Sequence, residues 1–210
     1  MSRLRRDFQR LRTIKDWSVP YALLDACFLD AGFQAVALHR MAHAFLRWRI
    51  PVLPALCRRL SVAFCGVDIL PHARIGGGLF LPHSLGIVIG GRTVIGEDCT
   101  LLHGVTLGEA RFDEIACPHL GDRVTVGAGA QVLGGVAIGD GALIGAGSVV
   151  LADVPAGAVA AGAPARVLSR GRDEDESMDD TAPDLPRRPL DDTAADLPLA
   201  PDARKDDAPP

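Results

Sequence analysis

No two cysteines in this chain are spaced Cys-x-x-Cys, and the five present (Cys27, Cys57, Cys65, Cys99, Cys117) are an odd number. That argues against a disulfide framework and a zinc ribbon alike, and suits a reducing cytosol. No stretch reaches the roughly 18 uncharged apolar residues that a membrane span needs. Residues 1–17 are charged throughout and lack the apolar run of a secretory leader, so a cytoplasmic protein is expected.

The net charge is small, but the charges are unevenly placed. The net charge of -4 conceals a basic start, with 11 Lys and Arg against four acids in residues 1–60. It also conceals an acidic end, with 13 acids against six bases in residues 170–210. That end is rich in proline and almost devoid of aromatic and β-branched residues. Such a segment cannot bury enough surface to offset chain entropy, and a disordered tail is expected over 169–210.

What is present is a period of six. Aliphatic residues recur in three phased runs: Ile69, Ile75, Leu81, Ile87; then Ile89, Ile95, Leu101, Leu107; then Leu120, Val126, Val132, Ile138, Ile144, Val150. Glycine follows many of them, as in Ile75-Gly76, Ile95-Gly96, Val126-Gly127 and Ile144-Gly145. A period of six cannot keep apolar residues on one face of a 3.6-residue helix, and each glycine would destabilise a helix by about 1 kcal/mol. Short strands joined by tight turns fit instead. Three hexapeptides make one triangular coil, with aliphatic side chains stacked inward and small residues at the corners, and about 85 residues give between four and five coils. Each phase break marks an irregularity.

Ahead of the repeats, Phe33, Val36, Ala37, Met41, Phe45 and Leu46 recur at helical spacing until Pro51 and Pro54. Residues 1–66 are therefore read as a helical segment and 67–168 as the coil. The basic, amphipathic lead-in could touch a membrane surface, although packing against the coil or another subunit is the commoner fate. No nucleic-acid partner is expected.

Position in the coil sorts the histidines. His83 lies two residues after Leu81, and His103 two residues after Leu101, so both occupy the same hexapeptide slot. Their separation of 20 residues is one coil plus the two-residue slip read between Ile87 and Ile89, which stacks the two side chains and suggests a site. Residues 108–119 interrupt the third phase as a loop that leaves the coil. Loops on rigid scaffolds are where binding residues concentrate, and Cys117 and His119 sit near its return.

Residues 33–168 resemble the hexapeptide-repeat acetyltransferases, and within them the serine acetyltransferases and their exopolysaccharide-biosynthesis relatives. The likeness rests on the segments 33–40, Val67-Asp68-Ile69, Pro82-His83-Ser84-Leu85-Gly86-Ile87-Val88-Ile89-Gly90, Gly104-Val105-Thr106-Leu107-Gly108, Ile144-Gly145-Ala146-Gly147-Ser148-Val149-Val150 and the closing Gly162-Ala163-Pro164-Ala165-Arg166-Val167. The resemblance implies an all-β fold, a left-handed parallel β-helix of hexapeptide repeats, with the short helical segment before it and the acidic, proline-rich tail after it. It implies acetyl-CoA as co-substrate, no metal, and a homotrimer in which each site is completed by a neighbour. It makes His83 the general base and Asp68 the residue that hydrogen-bonds and orients it. It places Ala128 and Ala146, with Gly129 and Gly147 beside them, against CoA.

The acceptor end departs from the serine enzymes. Pro82 stands where they carry an Asp, Cys117 where they carry a His, Gly91 where they carry a Glu, and Glu109 where they carry a Gly. His103, Cys117 and His119 are the candidate acceptor-binding residues. These departures point to a sugar hydroxyl of a surface-polysaccharide precursor as acceptor, with L-serine the alternative. The chain ends in Ala208-Pro209-Pro210 rather than the Ile by which such enzymes dock to O-acetylserine sulfhydrylase, so no cysteine-synthase partner is expected. A zinc hydratase of the γ-carbonic-anhydrase kind would use His83, His103 and His119 as ligands. It is disfavoured because no His-x₄-His pair occurs.

Overall fold

The structure is a computed structural model, and it describes residues 3–15, 25–26, 29–111 and 116–169. Residues 170–210, on which the disordered tail was expected, lie outside the described residues, as do Cys27 and residues 112–115 of the loop.

The period of six becomes a three-sided prism. Its first sheet stacks β1 (Val67–Ile69), β3 (Ile87–Ile89), β6 (Thr106–Gly108), β9 (Gln131–Leu133) and β12 (Val149–Val150). The second stacks β2 (Arg74–Ile75), β4 (Val94–Ile95), β7 (His119–Leu120) and β10 (Ala137–Ile138). The third stacks β5 (Thr100–Leu101), β8 (Thr125–Val126), β11 (Leu143–Ile144) and β13 (Val159–Gly162), and is closed by an antiparallel β14 (Ala165–Ser169). All other pairings are parallel. Every aliphatic residue of the three runs points inward, none more than 3% exposed. Glycine directly after a strand is required by close approach: a Cβ on Gly127 or Gly139 would lie 2.6 Å or 2.3 Å from the backbone of the next coil.

Strand register locates both irregularities. Val67 pairs with Ile87, Arg74 with Val94 and Phe80 with Thr100, each twenty residues on, whereas Val88 pairs with Thr106, eighteen on. The two extra residues therefore sit between Leu81 and Gly86, not between Ile87 and Ile89 where the periodicity placed the slip. Thr106 pairs with Gln131 and Val94 with His119, twenty-five on, so the loop adds seven residues between β6 and β7.

Ahead of the prism, the described residues include the helices α1 (Arg3–Lys15), α2 (Ala31–Arg47) and α3 (Leu53–Leu60), the last running into a single π-helical turn at Ser61–Cys65. Asp30 caps α2, its carboxylate accepting from the Phe33 N–H at 2.7 Å. The buried face of α2 is Gly32, Ala35, Val36, His39 and Ala42. This differs from the expected stripe, of which only Val36 is buried, with Met41 46% exposed. The reason is close packing: a Cβ on Gly32 would fall 2.2 Å from the Leu81 carbonyl oxygen, so α2 turns its small residues onto the first coil. Arg40 donates to the carbonyls of Ile75 (2.6 Å) and Gly76, and pairs with Asp7 at 3.1 Å. Asp7 in turn accepts from the N–H groups of Gly78 (2.7 Å) and Leu79 (3.2 Å), which ties α1 and α2 to the same corner. No helix among the described residues is long and apolar enough to cross a membrane.

His39 is buried in this cap, and its Nδ1 has no hydrogen-bond partner. Burial, with the nearby charge of Arg40, pushes its pKa down to about 3. Between the ordinary value near 6.5 and that value, the unfolded chain binds a proton that the folded chain refuses. Stability therefore falls as pH falls, by about 1.4 kcal/mol per pH unit within that window. Denaturant titrations from pH 7 to pH 4 are expected to show this slope, and His39→Gln is expected to flatten it.

Candidate active site

The corner joining the third sheet to the first is a vertical column. Gly86 N–H donates to Gly66 carbonyl, Gly104 to Leu85, Gly129 to His103 and Gly147 to Ala128, at 2.8–2.9 Å. All five glycines have φ between 66° and 75°, the left-handed turn that a tight corner needs and glycine adopts without penalty. Because these N–H groups are bonded down the column, an oxyanion would have to find its donor elsewhere.

This register pairs His103 with Leu85 rather than with His83. His83 instead rides in the widened stretch 82–85, exposed, and its ring still meets that of His103 edge-on with centroids 6.2 Å apart. The two histidines thus come together as expected, but through a bulging corner rather than through a shared slot. Among the described residues no hydrogen bond reaches either ring. Directly along the column from His103 lie Ala128 with Gly129, and Ala146 with Gly147. A Cβ added at Gly129 or Gly147 would meet nothing within 4 Å, so this stretch of the edge is a shallow open track.

Asp68 has a different partner from the one expected. Its carboxylate is held by Arg58 at the end of α3, Nε to Oδ1 at 2.5 Å and Nη2 to Oδ2 at 2.7 Å, and this bond raises the guanidinium pKa. Asp68 projects outward from the first sheet in register with Val88, whereas His83 stands in the corner that precedes β3. No contact between Asp68 and His83 is among those of the described residues.

Cys117 and His119 lie on another edge, where the loop enters the second sheet. Cys117 is buried, 5% exposed, with its sulfur turned inward so that a Cβ on Gly90 would lie 3.2 Å from it. The thiol therefore does not face an acceptor here, contrary to expectation. His119 does face outward, onto a groove of about 700 Å³ lined by Leu70, His72, Arg74, Gly91, Arg92, Val94 and Glu109. Of these residues, only Gly91, Glu109 and His119 stand out in the sequence. The signal was available in the register: offsets of twenty and twenty-five align Arg74, Val94 and His119 on one column, with His72, Arg92 and Cys117 two residues upstream on the next.

Among the described residues no group of three metal-ligating side chains converges. Cys57, Cys65, Cys99 and Cys117 are all free and buried, and burial pushes the Cys99 thiol up to about 11.

A prism of hexapeptide coils with a histidine pair on one edge defines a class, and residues 117–152 match the family described as bacterial transferase hexapeptide (six repeats). The chain is a hexapeptide-repeat acyltransferase, and its parallel β-helix is left-handed. The serine acetyltransferase of Helicobacter pylori (strain J99) is 43% identical over 149 residues, covering 70% of this chain and 87% of the relative. That of Synechococcus elongatus is also 43% identical, over 148 residues, where the match spans 70% of this chain but only 61% of the relative's length. A solved serine acetyltransferase in complex with CoA superposes with a TM-score of 0.71 at 36% identity, over 79% of this chain and 68% of that one. The chain belongs to the serine acetyltransferase family.

Proposed function

We propose that the protein transfers the acetyl group of acetyl-CoA to the hydroxyl of L-serine, with His83 as general base. The observation that carries the mechanism is the exposed His83–His103 pair at the head of the open track formed by Ala128, Gly129, Ala146 and Gly147. A pantetheine arm lying along that track delivers its thioester to the histidines. The His83 imidazole takes the hydroxyl proton as the acceptor oxygen bonds to the thioester carbonyl carbon. The C–S bond then breaks, and the imidazolium returns the proton to the departing thiolate, so that no metal is needed. Asp68 can orient His83 in this scheme only by turning toward the imidazole, either beside its bond to Arg58, since a carboxylate keeps further lone pairs, or in exchange for it.

Membership in the serine acetyltransferase family favours L-serine over the sugar hydroxyl suggested by Pro82, Gly91 and Cys117, which remains the second reading. The same membership lends no support to the absence of a cysteine-synthase partner, an expectation that rests on residues outside the described ones.

The two halves of the site lie on opposite borders of the first sheet, with His83 and His103 at one corner and the loop with its groove at the other. The outward side chains between them are Asp68, Val88, Thr106, Gln131 and Val149, of which only Asp68 is charged, and it is neutralised by Arg58. Phe64 and Leu85, 77% and 74% exposed, adjoin this face. Three copies arranged head to tail about this face would close a ring and bring the His83 corner of one to the groove of the next. We take the assembly to be this homotrimer.

Incubation of the purified protein with acetyl-CoA and L-serine is expected to release CoA thiol with saturable dependence on L-serine. Background hydrolysis alone would overturn the choice of acceptor, and saturable release with a sugar instead would establish the second reading.

A further inference from the structure

The hairpin formed by α2 and α3 carries charge of one sign only. No Asp or Glu occurs from residue 31 to residue 67, a stretch that holds five arginines. Arg40 is engaged by Asp7 and the Ile75 carbonyl, and Arg58 by Asp68. Arg47, Arg49 and Arg59 are exposed, and among the described residues no hydrogen bond or ion pair reaches their guanidinium groups. Beside them stand Trp48, Val52 and Leu56, 70%, 69% and 48% exposed, with Ile50 also at the surface. Helix α3 prolongs the pattern: Pro54 and Cys57 are buried, and Leu56, Arg59 and Leu60 fall on the opposite side of the helix.

An arginine also occupies the most constrained position of the turn that ends α2. The Arg49 N–H donates to the Leu46 carbonyl at 3.0 Å and the Ile50 N–H to the Phe45 carbonyl at 3.1 Å, the paired bonds that close a helix through a left-handed residue. That residue is Arg49, with φ of 56°. Glycine takes such a conformation without steric penalty, whereas a Cβ there is held at a cost in stability. Among the described residues no partner of the Arg49 side chain offsets that cost. Strain of this kind persists where the side chain serves something outside the fold.

Unpaired arginines around an exposed tryptophan, with no acid among them, match an anionic lipid surface. We propose that the α2–α3 hairpin docks the protein on such a surface, Arg47, Arg49 and Arg59 against headgroup phosphates and Trp48, Ile50 and Val52 at the boundary of headgroups and acyl chains. Tryptophan favours that boundary because its ring is apolar while its N–H needs a polar partner. Arginine can lay its stem along the apolar region and keep its charge among the headgroups. A second copy of the same hairpin is a poor occupant, since a two-fold contact would set the unpaired arginines of one copy against those of the other. The ring of three proposed above strengthens docking. A three-fold axis places the three hairpins at one level, so that each contact with a plane raises the effective concentration of the next. Docking of this kind is independent of the acetyl-transfer reading.

Sedimentation of the full chain with lipid vesicles tests this. Vesicles of phosphatidylcholine mixed with phosphatidylglycerol are expected to carry the protein down, vesicles of phosphatidylcholine alone to leave most of it in solution, and added salt to release it. Arg49→Gly is expected to weaken binding by about fivefold, the usual worth of one basic residue at such a surface. Its thermal midpoint should hold or rise, because glycine relieves the left-handed turn. Trp48→Ser is expected to weaken binding by about tenfold. Weaker binding by a chain that is no less stable is a result that a merely structural role would not produce. No binding of the parent chain to the acidic vesicles overturns the proposal, as does binding that Arg49→Gly and Trp48→Ser leave untouched. Soluble polyglutamate bound as tightly as the vesicles would mark an acidic protein as the partner and overturn it equally. Release of CoA thiol from acetyl-CoA and L-serine, measured without vesicles, is expected to be the same in both variants as in the parent, which keeps a failure here distinct from a failure of the acetyl-transfer reading.

Discussion

His83→Ala is expected to lower kcat for acetyl transfer by about 10²- to 10⁴-fold, the usual worth of a positioned general base. The KM for acetyl-CoA should move little, because the track that would hold it runs from His103 through Ala128 and Ala146, away from the bulge in which His83 stands. The fold should not suffer, since His83 is exposed and makes no hydrogen bond among the described residues. Steady-state kinetics with thiol detection, beside a thermal melt, check all three points. A kcat within threefold of the parent would remove His83 from the chemistry. His103→Ala offers a graded comparison: its ring borders His83 without sharing its backbone register, so a smaller loss is expected.

Mixing two impaired variants is expected to recover activity. If each site takes His83 from one subunit and the groove from the next, His83→Ala and His119→Ala chains refolded together form hybrid trimers. Over the whole randomly assembled population, pure and hybrid trimers together, about one quarter of the sites combine an intact His83 with an intact His119, as a closed ring requires. Activity should rise from the parental background to roughly that fraction of the unmutated enzyme, while light scattering reports a trimeric mass. Activity that stays at the level of the two separate variants would place both halves of the site on one chain, or deny the ring.

The prism itself was readable because its signal repeats. Each aliphatic position in the three runs is a copy of the one a coil before it, and all of them are buried. The N-terminal cap was less readable. Helix α1 buries only Asp7 and Leu11, and holds its place through Arg6 to Glu97 and Asp98 and through Arg10 to the Cys99 carbonyl and the Thr100 hydroxyl. Such long-range polar contacts leave no periodic trace, so a basic segment reads as a solvated one. In the site, the meeting of His83 with His103 was legible, but the periodicity puts the two-residue slip between Ile87 and Ile89 and the register puts it between Leu81 and Gly86. Ile87 and Ile89 both face inward, and an inward pair on one strand mimics a phase break. The pairing of Asp68 with Arg58 could not be read, because it depends on where α3 comes to rest. The groove went unrecognised because Arg74, Arg92 and His119 align only once the register offsets are known.

The widened corner at 82–85 has a consequence for how such a molecule can change. Along the strands and at the tight glycine corners the coil length is dictated by the ladder, and adding or removing a residue there would throw the inward side chains that follow out of phase. At this corner the two strands on either side keep their partners whatever protrudes between them. Ser84, buried and donating to the Cys65 carbonyl at 3.3 Å, pins the segment that carries His83, while the exposed and half-buried positions beside it carry no such contact among the described residues and their side chains can change, as Pro82 in place of an acid illustrates. The surroundings of the base become adjustable with little effect on stability, which makes this corner the natural place to substitute when a different hydroxyl is to be acetylated.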